Sequence, residues 1–251
     1  MKKLHVAALV ALASLALAAV AIAQTYPTPT VTLKGSITPT KVGKKKKPKF
    51  SKLRLTATNS AESRTTASRI TLLLPKGVVA SAKGFPFCPA TEIQAEGTQG
   101  CPKGSKVGAG TATAAFGPSL SKINFKVTLY AASAKELTVY LEAIGLPIKR
   151  AIRGLITPAG TPYGTKVTID IPQDLQKQLG AFVYLTGIDT TIGAQVTKTV
   201  RRKRVKYSII STISCPADKK HRYEVRIDYV DNPNPPAVRQ GQAGATSACK
   251  K

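Results

Sequence analysis

Alternation with a period of two is the feature that most constrains this chain. Between Lys122 and Tyr130, Ile123, Phe125, Val127 and Leu129 fall on one side of an extended backbone, and Lys122, Asn124, Lys126 and Thr128 fall on the other. A helix would scatter those apolar residues around its axis, whereas a half-buried strand gathers them on one face. Leu137, Val139 and Leu141 repeat the pattern, and the short break at 132–135 predicts an antiparallel hairpin. It recurs at Leu53, Leu55 and Ala57, and at Ile70, Leu72 and Leu74, where Pro75 stops it. It recurs again at Val167, Ile169 and Ile171, stopped by Pro172, and at Tyr223, Val225, Ile227 and Tyr229. Weaker alternation marks 31–37, 108–116, 151–157, 182–188 and 205–213. About ten strands at this spacing predict an all-β fold: an antiparallel β-sandwich, immunoglobulin-like in architecture. Helical signal is confined to one or two turns at 174–179, closed by Gly180.

The first 23 residues have a different pattern. Lys2 and Lys3 precede an apolar run from Val6 to Val20, which ends in Ala21-Ile22-Ala23. This is the grammar of a secretory signal peptide, with cleavage expected before Gln24 and no transmembrane span left afterwards. An uncleaved anchor is the competing reading. The expected organisation is therefore a signal peptide at 1–23, a β-sandwich at 24–232 and an irregular tail at 233–251. The middle part is long enough for one sandwich or for two small ones split near residue 118.

Four cysteines in an exported chain read as disulfides. Of the three possible pairings, Cys88–Cys101 with Cys215–Cys249 closes the shorter loops. The long Gly- and Pro-rich segment between Pro75 and Val107 is then pinned by the first bridge, and the tail is stapled by the second. A zinc site would need closer cysteine spacing or more histidines.

Leu74-Pro75-Lys76-Gly77, Gly84-Phe85-Pro86-Phe87-Cys88 and the run from Gly100-Cys101-Pro102 through Gly104-Ser105-Lys106-Val107-Gly108-Ala109-Gly110 form a recognisable series. Tyr163-Gly164-Thr165-Lys166-Val167, Ile171-Pro172 and Cys215-Pro216 continue it. The series resembles a family of secreted, Cys-Pro-motif, β-rich proteins from actinobacteria with no established activity. The resemblance implies export, disulfides and β-structure, and no chemistry.

Catalytic grammar is thin. His221 is the sole histidine after the leader, and Lys219, Lys220 and Arg222 beside it are expected to hold its pKa down. No nucleophile elbow occurs, and the glycine run from Gly104 to Gly110 lacks phosphate-loop order. Glu92 and Glu96 are candidates for a glycosidase pair by elimination alone, and Trp, which sugar clefts lean on, is absent. Asp228 and Asp231 lack the Asp-rich loop of a calcium site. No catalytic residue, metal or cofactor is expected.

Charge remains. The chain carries 38 Lys and Arg against 12 Asp and Glu. Removal of Lys2 and Lys3 leaves 36 cations against the same carboxylates, about +24, which favours polyanions as partners. The cations concentrate at Lys44, Lys45, Lys46, Lys47 and Lys49, and at Arg201, Arg202, Lys203, Arg204 and Lys206. Neither cluster sits on a recognition helix, so specific nucleic-acid binding is not expected. The expectation is an exported, non-catalytic protein of the cell surface or envelope that docks on anionic polymers or head groups through these clusters. A secreted hydrolase of wall polysaccharide and a purely structural surface protein are the alternatives.

Overall fold

The computed structural model describes residues 27–178, 180–230 and 240–251. The leader, its cleavage point and Asp231 lie outside the described residues.

Strands account for most of the chain: β1 (Thr32–Thr38), β2 (Lys49–Phe50), β3 (Lys52–Thr58), β4 (Thr66–Pro75), β5 (Val78–Ala80), β6 (Lys106–Phe116), β7 (Ser121–Ser133), β8 (Glu136–Ala143) and β9 (Lys149–Pro158) come first. After them come β10 (Tyr163–Asp170), β11 (Lys177–Gln178), β12 (Ala181–Ile192), β13 (Gln195–Val200), β14 (Lys203–Ser208), β15 (Ile210–Thr212), β16 (Lys220–Val230) and β17 (Gln240–Ala248). Two short helices interrupt them, α1 (Ala90–Glu96) and α2 (Gln173–Gln176).

Eleven strands form one antiparallel sheet in the order β1-β3-β12-β6-β7-β8-β9-β10-β4-β16-β17. The sheet curls until β17 lies against β1. With an odd number of alternating strands, the first and last run the same way, so the seam is parallel. Beyond the strand ends, the Val42 amide donates to the Lys250 carbonyl and the Lys250 amide to the Thr40 carbonyl, a parallel bridge that continues it.

The fold is thus all-β and antiparallel, as the alternation predicts, but it is a nearly closed barrel and not two facing sheets. Alternation specifies which face of a strand is buried. It does not specify whether the outermost strands meet, because both architectures bury one face per strand. The sheet also continues without a break across residue 118, where β6 and β7 pair.

The tail departs most from expectation. Residues 240–248 form β17, paired along β16 from Asp228↔Gln240 to Lys220↔Ala248. Its positions facing Tyr223, Val225 and Ile227 are Ala245, Ala243 and Gly241, too small to give an apolar signal. The small residues are needed at the seam. A methyl group on Gly35 of β1 would lie 2.9 Å from the Tyr223 ring, and one on Gly241 would lie 2.5 Å from the Tyr229 hydroxyl. The two tyrosines therefore fill the space where the barrel closes.

Inward positions carry the core: Leu33, Ile37, Leu53, Leu55, Ile123, Phe125, Val127, Leu129, Leu137, Val139, Ile152, Ile156, Val225 and Ile227 are all buried. Each large apolar side chain contributes roughly 1.5–3 kcal/mol by burial. Outward positions carry charge, matched across strands. Arg54 of β3 grips Asp189 of β12 through two bonds of 2.8 and 3.1 Å, and Arg69 of β4 meets Asp170 of β10. Lys149 of β9 faces Glu142 of β8, and Arg153 pairs with Glu136. Apolar inside and charged outside is the inverse of a membrane-spanning barrel.

Both disulfides have the expected pairing, Cys88–Cys101 and Cys215–Cys249, as an oxidising compartment allows. The first anchors the long segment to the outer wall. Cys88, Ile93 of α1 and Tyr130 form a small cluster there, and the Thr138 hydroxyl donates to the Cys88 carbonyl at 2.9 Å. The second ties the end of β17 to the segment before β16.

Candidate functional site

Strand direction sorts every connection to one end of the barrel or the other. At one end lie segments 59–65, 117–120, 144–148 and 171–180. Their charged residues are Glu62, Arg64, Asp174 and Lys177, which balance. At the other end lie 39–51, between β1 and β3, the segment that runs from β12 to β16, and the long segment between β4 and β6, where Lys76, Lys83 and Lys103 stand against only Glu92 and Glu96 in number. Residues 39–51 carry six lysines and no carboxylate, and residues 193–212 carry six Lys and Arg and no carboxylate. The two clusters, far apart in sequence, are thus brought to one end of the molecule.

Two tight hairpins display them. The Lys44 amide donates to the Lys47 carbonyl at 3.0 Å and the Lys47 amide to the Lys44 carbonyl at 2.9 Å, leaving Lys45 and Lys46 at a two-residue tip. Lys49 follows on β2, whose partner is β15. The second hairpin is β13–β14, closed by the Val200↔Lys203 pair with Arg201 and Arg202 at its tip. Both arginines have positive φ, 49° and 64°. That is the pattern of a type I′ turn, which normally recruits Asn and Gly. Lys203, Arg204 and Lys206 lie in β14 itself, and β13 adds Lys198, a cation that stands outside both sequence clusters. The hairpin carries cations on both faces: Lys206 and Arg204 share one with Thr197 and Thr199, and Lys198 and Lys203 share the other with Val205 and Val200. The tips themselves do not touch one surface patch: they occupy opposite ends of the 203–212 run, with β15 and β2 between them.

The ion pairs among the described residues lie elsewhere. Asp170, Asp174, Asp189, Asp218, Glu136, Glu142 and Glu224 are each held by an Arg or Lys outside the two clusters. Arg54 holds the Asp189 carboxyl below its ordinary range, and Arg222 does the same for Asp218. Asp228 accepts a bond from Gln240. Glu92 lies in the first turn of α1 on the outer wall, and Glu96 at its end. Among the described residues no group of three His, Cys, Asp or Glu is placed to hold a metal, and no helix is long and apolar enough to cross a membrane.

His221 faces inward on β16 and is only 1% exposed, with neither ring nitrogen partnered among the described residues. Its pKa is lowered, as the flanking cations suggest, but the cause is burial. Burial likewise pushes the Tyr223 hydroxyl up to about 12, against a hydrogen bond shared with Ser247.

A second feature, invisible in the sequence, is the barrel lumen. A cavity of about 200 Å³ runs among inward side chains of nearly every barrel strand. Its wall is hydrocarbon, with Thr190 the single polar residue among those lining it.

Comparisons with protein-family models, curated proteins and solved structures return no match.

Proposed function

We propose that this chain is an exported, non-catalytic protein of the cell surface or envelope that docks on anionic polymers or head groups through the cationic end of its barrel. One observation carries the reading. Runs 39–51 and 193–212 bring twelve basic residues to one end with no carboxylate within either run, while each carboxylate of the barrel strands has a matched partner. A surface built only for solubility intersperses both signs. Two arginines held at positive φ add to the case, because strained backbone that persists clusters where function demands it.

Export rests on the signal-peptide grammar of residues 1–23, and the disulfides agree with it. The hydrolase alternative needs two carboxylates facing one another across a cleft. Glu92 and Glu96, the pair the sequence offers, sit four residues apart on the short helix α1 against the outer wall and not across a cleft, which favours the non-catalytic reading.

The test is retention on isolated native envelopes through a graded salt wash. Attraction of this kind is screened, with a Debye length of about 10 Å at 0.1 M and about 3 Å at 1 M. Release should be steep with salt. Changing Lys44, Lys45, Lys46 and Lys47 to Gln should move release to lower salt, and changing Arg201, Arg202, Lys203 and Arg204 to Gln should do the same. Retention of both variants at wild-type salt would sink the reading.

A further inference from the structure

The lumen has no part in docking, and its composition is specific. An eleven-stranded barrel is wider than its inward side chains readily fill. Here part of the wall is lined by Ala57, Ala67, Ala112 and Ala114, which leave a void where larger residues would close it. At about 200 Å³ it exceeds the engineered apolar cavities of about 150 Å³ that take up benzene. Water is a poor occupant, since a buried water needs 2–4 polar partners and Thr190 alone offers a side-chain group. No lysine or arginine lines it, although the chain has 38, so an anionic head group would find no counter-charge inside.

One end of the barrel is crossed by a connecting segment. Segment 171–178 leaves β10, crosses that end and rejoins the sheet at β12, where Lys177 and Gln178 pair with Phe182 and Ala181. In ring order β10 and β12 are five strands apart, so the segment is a strap across the mouth. Leu175 of α2 points down from it and lines the cavity. The strap is held from outside by the Arg150–Asp174 ion pair, and the Gln176 side-chain amide donates to the Ile171 carbonyl at 2.6 Å. At the same end, the β8–β9 turn exposes Ile144 at 65% and Leu146 at 44%.

The geometry points to a binding site: the lumen takes up an uncharged hydrocarbon segment, which enters at the strap end past Leu175. At roughly 30 Å³ for each water-sized group, the void of about 200 Å³ holds about six or seven such groups, with the hydroxyl end of a longer alcohol left at the mouth. A free short-chain molecule and the tail of a neutral lipid share that chemistry.

The experiment is a titration of the full mature protein, followed by methyl NMR, with 1-octanol in one arm and dioctanoylglycerol in the other. Saturable shifts at Leu137, Val139, Ile152 and Val225 are expected with octanol. Shifts with both ligands identify lipid tails as within reach; shifts with octanol alone restrict the site to free small molecules. Leu175→Ala, which enlarges the void, should improve 1-decanol relative to 1-octanol by several-fold. Ala112→Leu should abolish uptake if it folds, and the wild-type map stands without it. The variant with Gln at 44–47 should bind octanol as the wild type does, which separates this site from docking. Absence of saturable shifts with either ligand, or shifts confined to Ile144 and Leu146, overturns the proposal.

Discussion

Replacing Arg201 with Asn and Arg202 with Gly should make the protein more stable and weaken its docking. Both arginines occupy the two-residue tip of the β13–β14 hairpin at φ 49° and 64°. In that region the side chain of an L-residue crowds its own carbonyl, at roughly 1–2 kcal/mol per residue. Asn tolerates the conformation better than Arg, and Gly adopts it freely. Relief at two sites should therefore add about 1–3 kcal/mol to the unfolding free energy, less whatever glycine gives back through the unfolded chain. Neither arginine takes part in an ion pair or in the core of the described residues, so the exchange removes no stabilising partner. The assay is urea unfolding, read as a midpoint shift at constant slope, run beside a salt-resolved binding curve on anionic vesicles. Affinity should fall, because two cations leave the tip of the β13–β14 hairpin. A variant no more stable than the wild type would refute the strain argument. A stabilised variant that binds unchanged would refute the functional use of the tip.

Glycines in two strands should behave oppositely. A methyl at Gly110 of β6 would sit 2.0 Å from the Asp189 carbonyl oxygen, so Gly110→Ala must part β6 from β12 and should cost about 2–4 kcal/mol, the worth of a few ladder bonds. A methyl at Gly154 of β9 would stand 3.5 Å from Ile169, an ordinary contact, so Gly154→Ala should be neutral or stabilising by up to about 1 kcal/mol. Acid should weaken the fold through His221. Its folded pKa lies below the unfolded value of about 6.5, so its contribution is present above that pH and is lost as pH falls through it. In His221→Phe the stability change between pH 7 and pH 5 should flatten. Cys215→Ser with Cys249→Ser should cost about 4 kcal/mol in the chain-entropy model, against about 3 kcal/mol for the Cys88 and Cys101 pair, measured by thermal unfolding; the closed loops span 34 and 13 residues.

Strands with one apolar face are readable in the sequence: β7, β8, β4, β10 and β16 stand where alternation puts them, and loop length alone points to both disulfides. The strands that escape such reading share a physical cause. β17 turns Gly241, Ala243 and Ala245 toward the tyrosines of β16, and β13 is a projecting ribbon whose outer half buries nothing. The expected strand at 205–213 divides into β14 and β15, because Ile209 and Ile210 are buried where the chain leaves the hairpin. The short helix α1 has one buried residue, Ile93, and so no periodicity to read. The basic runs are plain, but that residues 39–51 and 193–212 share one end follows from β1, β3 and β12 being neighbours. Such long-range pairing leaves no local trace. The lumen is hidden for the same reason, since its volume depends on how many strands close the ring.

The central claim is that docking belongs to one end of the barrel and not to net charge at large. The direct measurement is the slope of log binding constant against log salt on one defined anionic vesicle, for three variants with up to four cations replaced. Lys44, Lys45, Lys46 and Lys47 to Gln removes one cluster, and Arg201, Arg202, Lys203 and Arg204 to Gln removes the other. Lys122 and Lys126 to Gln removes exposed charge from the wall of β7. Each docking cation removed should flatten the slope by somewhat less than one unit, by analogy with phosphate neutralisation on nucleic acid. The account predicts flattening by about two units or more in each cluster variant and a wall variant close to the wild type. Equal flattening per charge in all three would contradict it.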